Sequence, residues 1–333
     1  MCTRNKMFSW LMIGFCFVSA PLALASDANS YITAGRIDMF AQPITLSGLR
    51  QAYQHFDDGL NDQSCSDCDS SRELIFLHAL AKTGMLFIDN NSVSMDSFLE
   101  LAEQFGVTVA GDSIDAIDFG VSSTAGCYKI PADAFTTASA TIPELIDEVD
   151  VIIAEMDSIN DSNSDPFRIF FSPDETGLGN NLEADYGEVL ILKGLLVALK
   201  AQLESQQAYD LKLAASGKIK TIIDSIFCDR DLDINFYINS DLLTPYPDLL
   251  RVLPTKNYPA ADGAAVLAQS REDLITSIDY YFMAVNYIQS ETDEQEDDFI
   301  YIDANDAELT ALLNAYNEKL TAARNSLNDD TVE

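Results

Sequence analysis

Two cysteines and two histidines are spaced symmetrically in the first quarter of the chain. Cys65 and Cys68 form a C-x-x-C motif, and nine residues separate each of them from the nearer histidine, His55 or His78. Two thiolates and two imidazoles are the ligands of a tetrahedral zinc site. Each histidine is expected more than one turn inside a helix, however, and a helix rises about 1.5 Å per residue. The spacing therefore favours packing roles for both histidines over zinc binding.

Cys127 and Cys228 are the other two cysteines after residue 25. In an oxidising compartment, an even number of cysteines indicates disulfides, and four cysteines allow three pairings. The simplest pairing joins Cys65 to Cys68 and leaves Cys127 and Cys228 to connect the two halves of the chain. A redox-active C-x-x-C is the alternative, but no strand and helix of the thioredoxin kind precede it. We predict structural disulfides.

The two histidines also restrict the catalytic chemistry of the chain. No histidine follows His78, so a serine nucleophile further along would lack a downstream imidazole base. The motifs H-E-x-x-H and G-x-S-x-G and a phosphate-binding loop are absent from the sequence. The chain has 54 acidic residues, so no particular pair stands out as a glycosidase-type pair. We predict a non-enzymatic protein without a cofactor, and a hydrolase with a carboxylate pair is the third hypothesis.

One segment alternates the oxygen ligands of a calcium loop. Asp161, Asn163 and Asp165 have the required spacing, but Pro166 replaces the glycine of the turn and Ser172 replaces the terminal glutamate. Segments rich in Asp and Asn are also typical of turns at helix ends. A binding module that depends on calcium or another cation is therefore the alternative function.

The N-terminal segment has the pattern of an export signal. Arg4 and Lys6 precede an apolar stretch over 7–24, which ends in a small-x-small cleavage site at Ala25. Residues 1–25 are therefore predicted to be a signal peptide, and the protein is expected to be periplasmic or secreted. No later stretch reaches the ~18 uninterrupted apolar residues of a membrane span.

The charge of the chain excludes two classes of partner. Lys and Arg number 19 and Asp and Glu number 54, which gives a formal net charge of −35. Nucleic acids and anionic lipid surfaces need basic residues to replace their counterions. The acidity serves solubility, or it attracts cations or a basic protein partner.

Helical patterns dominate the elements that would position these residues. Thr141 with Glu144, and Asp185 with Glu188, have the form of capping boxes. Apolar residues recur at helical spacing and predict helices at 46–61, 71–88, 94–105, 142–160, 185–212, 215–227, 262–290 and 305–327. The helix from Asp185 is apolar on nearly every side and is expected at the centre of the C-terminal half. Two short segments, 167–171 and 299–302, are predicted to be extended and to pair.

Three stretches, 106–140, 161–181 and 229–262, are rich in glycine, proline and small polar residues and are predicted to be loops. The first is the expected boundary between two helical regions. The predicted organisation is a signal peptide (1–25), an N-terminal helical hairpin region (26–105), a loop-rich linker (106–140) and a C-terminal helical bundle (141–333). The predicted fold is all-α, with stacked antiparallel hairpins or an irregular bundle and at most a minor short β-pair.

The segment Ala52-Tyr53-Gln54-His55-Phe56-Asp57-Asp58-Gly59-Leu60 resembles the second helix of a tetratricopeptide repeat, and 74–81 resembles the first helix of the next repeat. The helix that begins Asp185-Tyr186-Gly187-Glu188 resembles a segment of uncharacterised exported bacterial helical proteins. These resemblances imply stacked hairpins with a contact surface in their concavity around Tyr53, Phe56 and Phe76. We therefore predict an exported acidic protein that acts in protein binding or scaffolding in the cell envelope.

Overall fold

The computed structural model describes residues 27–41, 43–68, 71–89, 97–104, 107–110, 118–121, 134–162, 164–177, 179–208, 263–291, 298–302 and 306–329. Within these residues the helices and strands comprise nine helices and two short antiparallel strand pairs, joined by turns and loops. This confirms the predicted all-α class with minor β structure. The predicted signal peptide and the predicted helix at 215–227 lie outside the described residues.

The described helices are α1 (Ala28–Met39), α2 (Leu46–Asn61), α3 (Arg72–Ile88), α4 (Phe98–Gln104), α5 (Ala134–Asp157), α6 (Pro173–Thr176), α7 (Tyr186–Gln207), α8 (Gly263–Ser290) and α9 (Ala307–Asn328). The strands are β1 (Val107–Ala110), β2 (Asp118–Val121), β3 (Arg168–Phe171) and β4 (Leu182–Asp185). Helices α2, α3, α8 and α9 lie within two residues of their predicted bounds. The capping box of Asp185 and Glu188 is present at the start of α7, where both carboxylates accept main-chain N–H groups.

The prediction of a loop over 106–140 is wrong in part. This stretch contains β1 and β2, which pair antiparallel from Val107 opposite Val121 to Ala110 opposite Asp118. It also contains the beginning of α5, which starts at Ala134 rather than at the predicted capping box. Pro143 consequently lies inside α5, where it removes one helical hydrogen bond without ending the helix.

The predicted pairing of 167–171 with 299–302 is also wrong. Strand β3 pairs instead with β4, from Arg168 opposite Asp185 to Phe171 opposite Leu182. The later segment lies along β4, because the N–H of Phe299 donates to the carbonyl of Glu183 over 2.9 Å. Strand β4 therefore bonds to both extended segments, and the rings of Phe171 and Phe299 meet edge to face with centroids 5.6 Å apart.

Helix α7 packs between α5 and α8, which agrees with its expected central position. Val189, Leu190, Leu196 and Val197 are buried along it, whereas Leu195 is 63% exposed. One hydrophobic cluster contains residues of α1, α2, α3, α5, β3 and α7, so buried contacts run from the N-terminal hairpin region into the C-terminal bundle. None of the described helices combines the length and the apolar composition needed to cross a membrane.

Candidate functional site

The residues of the possible zinc site have other partners in the structure. Cys65 and Cys68 form a disulfide, which confirms this one bond of the simplest predicted pairing. His55 lies 3.1 Å from the carboxylate of Asp38, and Nδ1 of the buried His78 lies 2.8 Å from Glu155. A disulfide has no thiolate for a metal, and both histidines contact carboxylates instead. Cys127 and Cys228 lie outside the described residues.

The aromatic residues of the predicted hairpin surface are mostly in the core. Phe56 has no exposed surface and Phe76 is 4% exposed, so neither ring offers a face to a partner in the hairpin concavity. Tyr53 is half-buried and stacks on His78 with centroids 4.9 Å apart. Burial raises the pKa of Tyr53 to about 12, and nearby carboxylates add to this effect. Phe76 nevertheless reaches the groove described below.

The carboxylates of the possible calcium loop bind protein groups. Asp161 accepts the N–H of Phe167 over 2.8 Å, and Asp165 accepts a hydrogen bond from Arg72 over 2.9 Å. Among the described residues, neither belongs to a group of three convergent carboxylate, thiol or imidazole ligands. The third residue, Asn163, lies outside the described part of the chain, and calcium binding stays a prediction.

A cavity of about 230 Å³ lies along α7, beside the pair formed by β3 and β4. We call it the α7 groove. Glu188, Ile191, Leu192 and Leu195 lie on one face of α7 because residues three and four apart are neighbours on a helix. The groove is lined by Phe40, Phe76, Leu80, Phe171, Ala184, Glu188, Ile191, Leu192, Leu195 and Phe299.

Two further cavities adjoin the α7 groove. One, of about 220 Å³, shares Ile191 and Leu195 with the groove and is closed by residues of α8 and α9, including Tyr281 and Tyr316. The other, of about 400 Å³, shares Phe40 and is lined by Thr33, Arg36, Ile37, Asp174 and Glu175. Because the α7 groove shares wall residues with each of the other two cavities, we call the three together the row, with an α1–α6 end and an α8–α9 end.

The mouth of this row exposes large apolar side chains. Leu195 is 63% exposed, Phe299 49%, Ile37 66% and Tyr316 52%. Isolated exposed apolar residues are common on proteins, whereas a contiguous set along a concave surface is typical of a site for a ligand or a partner.

Glu188 is the polar residue in the wall of the α7 groove. Its Oε2 accepts the N–H of Asp185 over 2.9 Å, and its Oε1 accepts the N–H of Ile300 over 3.0 Å. Burial raises the pKa of Glu188 to about 8, and the neighbouring carboxyl of Asp185 contributes to the increase. The shift is in the direction that favours the neutral form of this carboxyl.

The α1–α6 end of the row is acidic. Arg36 bonds to Glu175 over 2.7 Å and to Glu73 over 2.9 Å, and its guanidinium lies over the ring of Phe171 at 5.0 Å. Burial opposes the ionisation of Glu175, but hydrogen bonds from Arg36 and Ser172 outweigh it and lower the pKa of Glu175 to about 2. The exposed carboxylate of Asp174 adds a third acid beside this single guanidinium.

No model of a known protein family matches the chain. Neither the curated proteins nor the solved structures include a significant match to it.

Sequence reasoning identified one wall residue of the groove, Phe76, and assigned it to a different surface. Leu195 was expected to be enclosed with the rest of α7. The sequence feature that could have indicated the groove is the apolar surface all round α7. Such a helix needs other elements against every side, and a side that they leave open is a candidate binding surface. The structure covers α7 with α5 and α8 and leaves the face of Leu195 open.

Proposed function

We propose that this protein is a non-enzymatic binding or scaffolding protein of the cell envelope, which takes up apolar side chains of a partner protein in the α7 groove. One observation carries the proposal. Leu195 is 63% exposed on the central helix, in a cavity walled by the rings of four phenylalanines, Phe40, Phe76, Phe171 and Phe299. Aromatic and aliphatic walls with few polar groups are typical of sites that bind by burying apolar surface.

The hydrogen bonds of Glu188 favour binding over catalysis at this site. A catalytic carboxyl needs a free oxygen within reach of the reacting group. Both oxygens of Glu188 accept main-chain N–H groups, and the adjacent Asp185 accepts the N–H of Gly187 over 2.6 Å. This carboxyl pair thus binds the main chain around the start of α7, and the stem of Glu188 contributes apolar surface to the groove.

A neutral fluorescent dye tests the groove as an apolar binding site. N-phenyl-1-naphthylamine is titrated into the purified protein and into two variants, Leu195→Gln and Met283→Gln. Leu195 lines the groove, whereas Met283 is an exposed apolar residue of α8, 50% exposed against 63% for Leu195. Glutamine is a good helix former and adds no charge.

We expect saturable dye binding by the wild type and by Met283→Gln, and about tenfold weaker binding by Leu195→Gln, because a leucine contact is worth about 1.5–3 kcal/mol when fully buried. The absence of saturable binding, or equal affinities of the two variants, rejects the proposal. A cell-envelope extract then serves for capture. Proteins retained by the wild type and by Met283→Gln but lost with Leu195→Gln are the expected partners.

A further inference from the structure

We infer that the segment bound in the α7 groove is cationic and amphipathic, with apolar side chains in the row of cavities and a lysine or arginine beside Asp174. This inference rests on the proposed function and specifies the partner. It follows from the form of the groove, from the charges at one end and from the charge of the whole chain.

The groove accommodates a row of side chains rather than one. Phe40 joins the α7 groove to the α1–α6 cavity, and Ile191 and Leu195 join it to the α8–α9 cavity. A ligand that fills this row presents apolar groups at successive positions along its length. An amphipathic peptide segment does this, since its apolar residues recur on one side.

The middle of the row and its α1–α6 end differ in charge. In the middle, Glu188 is the only ionisable wall residue, and its carboxyl is bound to main-chain N–H groups. At the α1–α6 end, Arg36 is held between Glu73 and Glu175. The described residues give the exposed carboxylate of Asp174 no hydrogen bond or ion pair. The wall at this end thus has two carboxylates, of Asp174 and Glu175, and one guanidinium that is also bound to Glu73, which suits a cationic side chain.

The charge of the whole chain favours the same partner. A net charge of −35 accelerates the approach of a basic segment and opposes that of an acidic one. This attraction is general, however, and any lysine-rich peptide would feel it. A test of the inference must therefore separate binding in the groove from diffuse attraction to the acidic surface.

Three labelled peptides of about 18 residues, or about five helical turns, make this separation. They share the same leucine positions and carry lysine, glutamine or glutamate at every polar position. Binding is followed by fluorescence anisotropy with the wild type, Leu195→Gln and Met283→Gln. Asp174→Asn and Asp147→Asn form a second pair, because Asp147 is an exposed residue of α5 whose substitution changes the net charge equally.

We expect the lysine peptide to bind most tightly and the glutamate peptide most weakly. Leu195→Gln should lower the affinity for the lysine peptide about tenfold relative to Met283→Gln. Asp174→Asn should lower the affinity for the lysine peptide about threefold relative to Asp147→Asn, because an exposed ion pair contributes little free energy. It should leave the affinity for the glutamine peptide unchanged.

Three results overturn the inference. One is equal binding of the lysine and glutamate peptides, and another is an effect of Asp174→Asn no larger than that of Asp147→Asn. Lysine-peptide binding that is insensitive to Leu195→Gln is diffuse attraction and also overturns it. The dye distinguishes the two failures. Saturable dye binding without peptide binding rejects the cationic segment alone, whereas the absence of dye binding rejects the proposed function with it.

Discussion

The main-chain N–H of Ile300 donates a hydrogen bond to the carboxyl of Glu188 over 3.0 Å. Together with the bond from the N–H of Phe299 to the carbonyl of Glu183, this contact holds the segment 298–302 against β4 and the start of α7. The ring of Phe299 is one wall of the α7 groove. The cap of α7 therefore also positions a wall residue of the groove that is more than 100 positions away in the chain.

Replacement of Glu188 by alanine should lower both stability and dye affinity. It leaves the N–H groups of Asp185 and Ile300 without their acceptor, and an unsatisfied buried donor costs about 1–3 kcal/mol. Urea denaturation measures the loss. Glu318→Ala, at an exposed position of α9, is the control. If Glu188→Ala unfolds at the same urea concentration as this control, the carboxyl does not hold the segment.

The helices predicted most closely have clear apolar stripes and capping residues. Helix α1 was not predicted, because its apolar stripe is weak. Its buried residues are Ala28, Ile32, Gly35 and Met39, which have helical spacing. Two of the four are small, and Ile37 on another face is 66% exposed. The apolar stripe is therefore faint, although the face packs closely. The close contact of these small residues depends on a neighbouring helix, and the spacing of residues within α1 cannot reveal that neighbour.

Strand β4 was missed because it carries acidic residues. Its sequence is Leu-Glu-Ala-Asp, yet all four residues are buried. Arg168 lies 3.1 Å from Glu183, and Asp185 accepts the N–H of Gly187, so both acids have partners that make their burial possible. These partners come from other elements of the fold, and the sequence therefore predicted no strand between the loop over 161–181 and the helix from Asp185.

The groove was beyond prediction for a related reason. Its phenylalanines come from the end of α1, from α3, from β3 and from the segment 298–302. No spacing in the sequence links these four positions. Only the pairing of β3 with β4 and the contact of Phe299 with β4 bring them to the same face of α7.

Gly35→Ala should destabilise the contact between α1 and α2. A Cβ atom at position 35 would lie 2.1 Å from Cε1 of Phe56, and Phe56 is completely buried, so its ring has little room to move. Overpacking of this kind costs about 1–3 kcal/mol, which exceeds the gain in helix propensity of about 1 kcal/mol.

The midpoint of chemical denaturation measures this effect, and Gly84→Ala in α3 is the control. A Cβ atom at Gly84 meets only the end of the Leu49 side chain, at 3.0 Å, and a smaller loss is expected. A Gly35→Ala variant that is as stable as the wild type would show that Phe56 can adjust and that the α1–α2 contact is loose.

Reduction of the Cys65–Cys68 disulfide should cost about 2 kcal/mol. The bond closes a short loop, for which the entropy of the unfolded chain predicts a contribution of this size. The N–H of Ala28, at the start of α1, donates to Asp67 inside this loop over 3.3 Å, so α1 should lose protection first. Denaturation of Cys65→Ala/Cys68→Ala and hydrogen exchange of α1 measure both effects. Unchanged hydrogen exchange in α1 would show that the stability of this helix does not depend on the disulfide loop.

Stability should fall with rising pH because of a buried carboxyl between α7 and α8. Glu204 is 5% exposed and faces Asp273 and Lys200. Burial raises the pKa of Glu204 to about 8, and the carboxyl of Asp273 adds to the increase, while Lys200 opposes it. Lys200 also lies 2.7 Å from Asp150 of α5 and 3.4 Å from Asp273, so its charge is shared among several acids.

Because the pKa of Glu204 is higher in the folded state than its usual value of 4.5, the folded state holds this proton more tightly than the unfolded chain. The stabilisation is complete below about pH 4.5 and is lost as the pH rises through about 8. Glu204→Gln keeps the shape of the side chain and carries no titrating proton. Between pH 5 and pH 9 the wild type should therefore lose at least about 1.4 kcal/mol, the free energy of one pKa unit, relative to this variant.

The pKa of Glu188 is also raised. Because both the wild type and Glu204→Gln contain Glu188, the difference between their stabilities at each pH cancels its effect. Glu318→Gln, on the exposed side of α9, controls for the change in net charge and should follow the wild-type profile. Parallel profiles for the wild type and Glu204→Gln would mean that Glu204 is ionised in the folded protein at neutral pH. Lys200 would then neutralise it despite the competing carboxylates of Asp150 and Asp273.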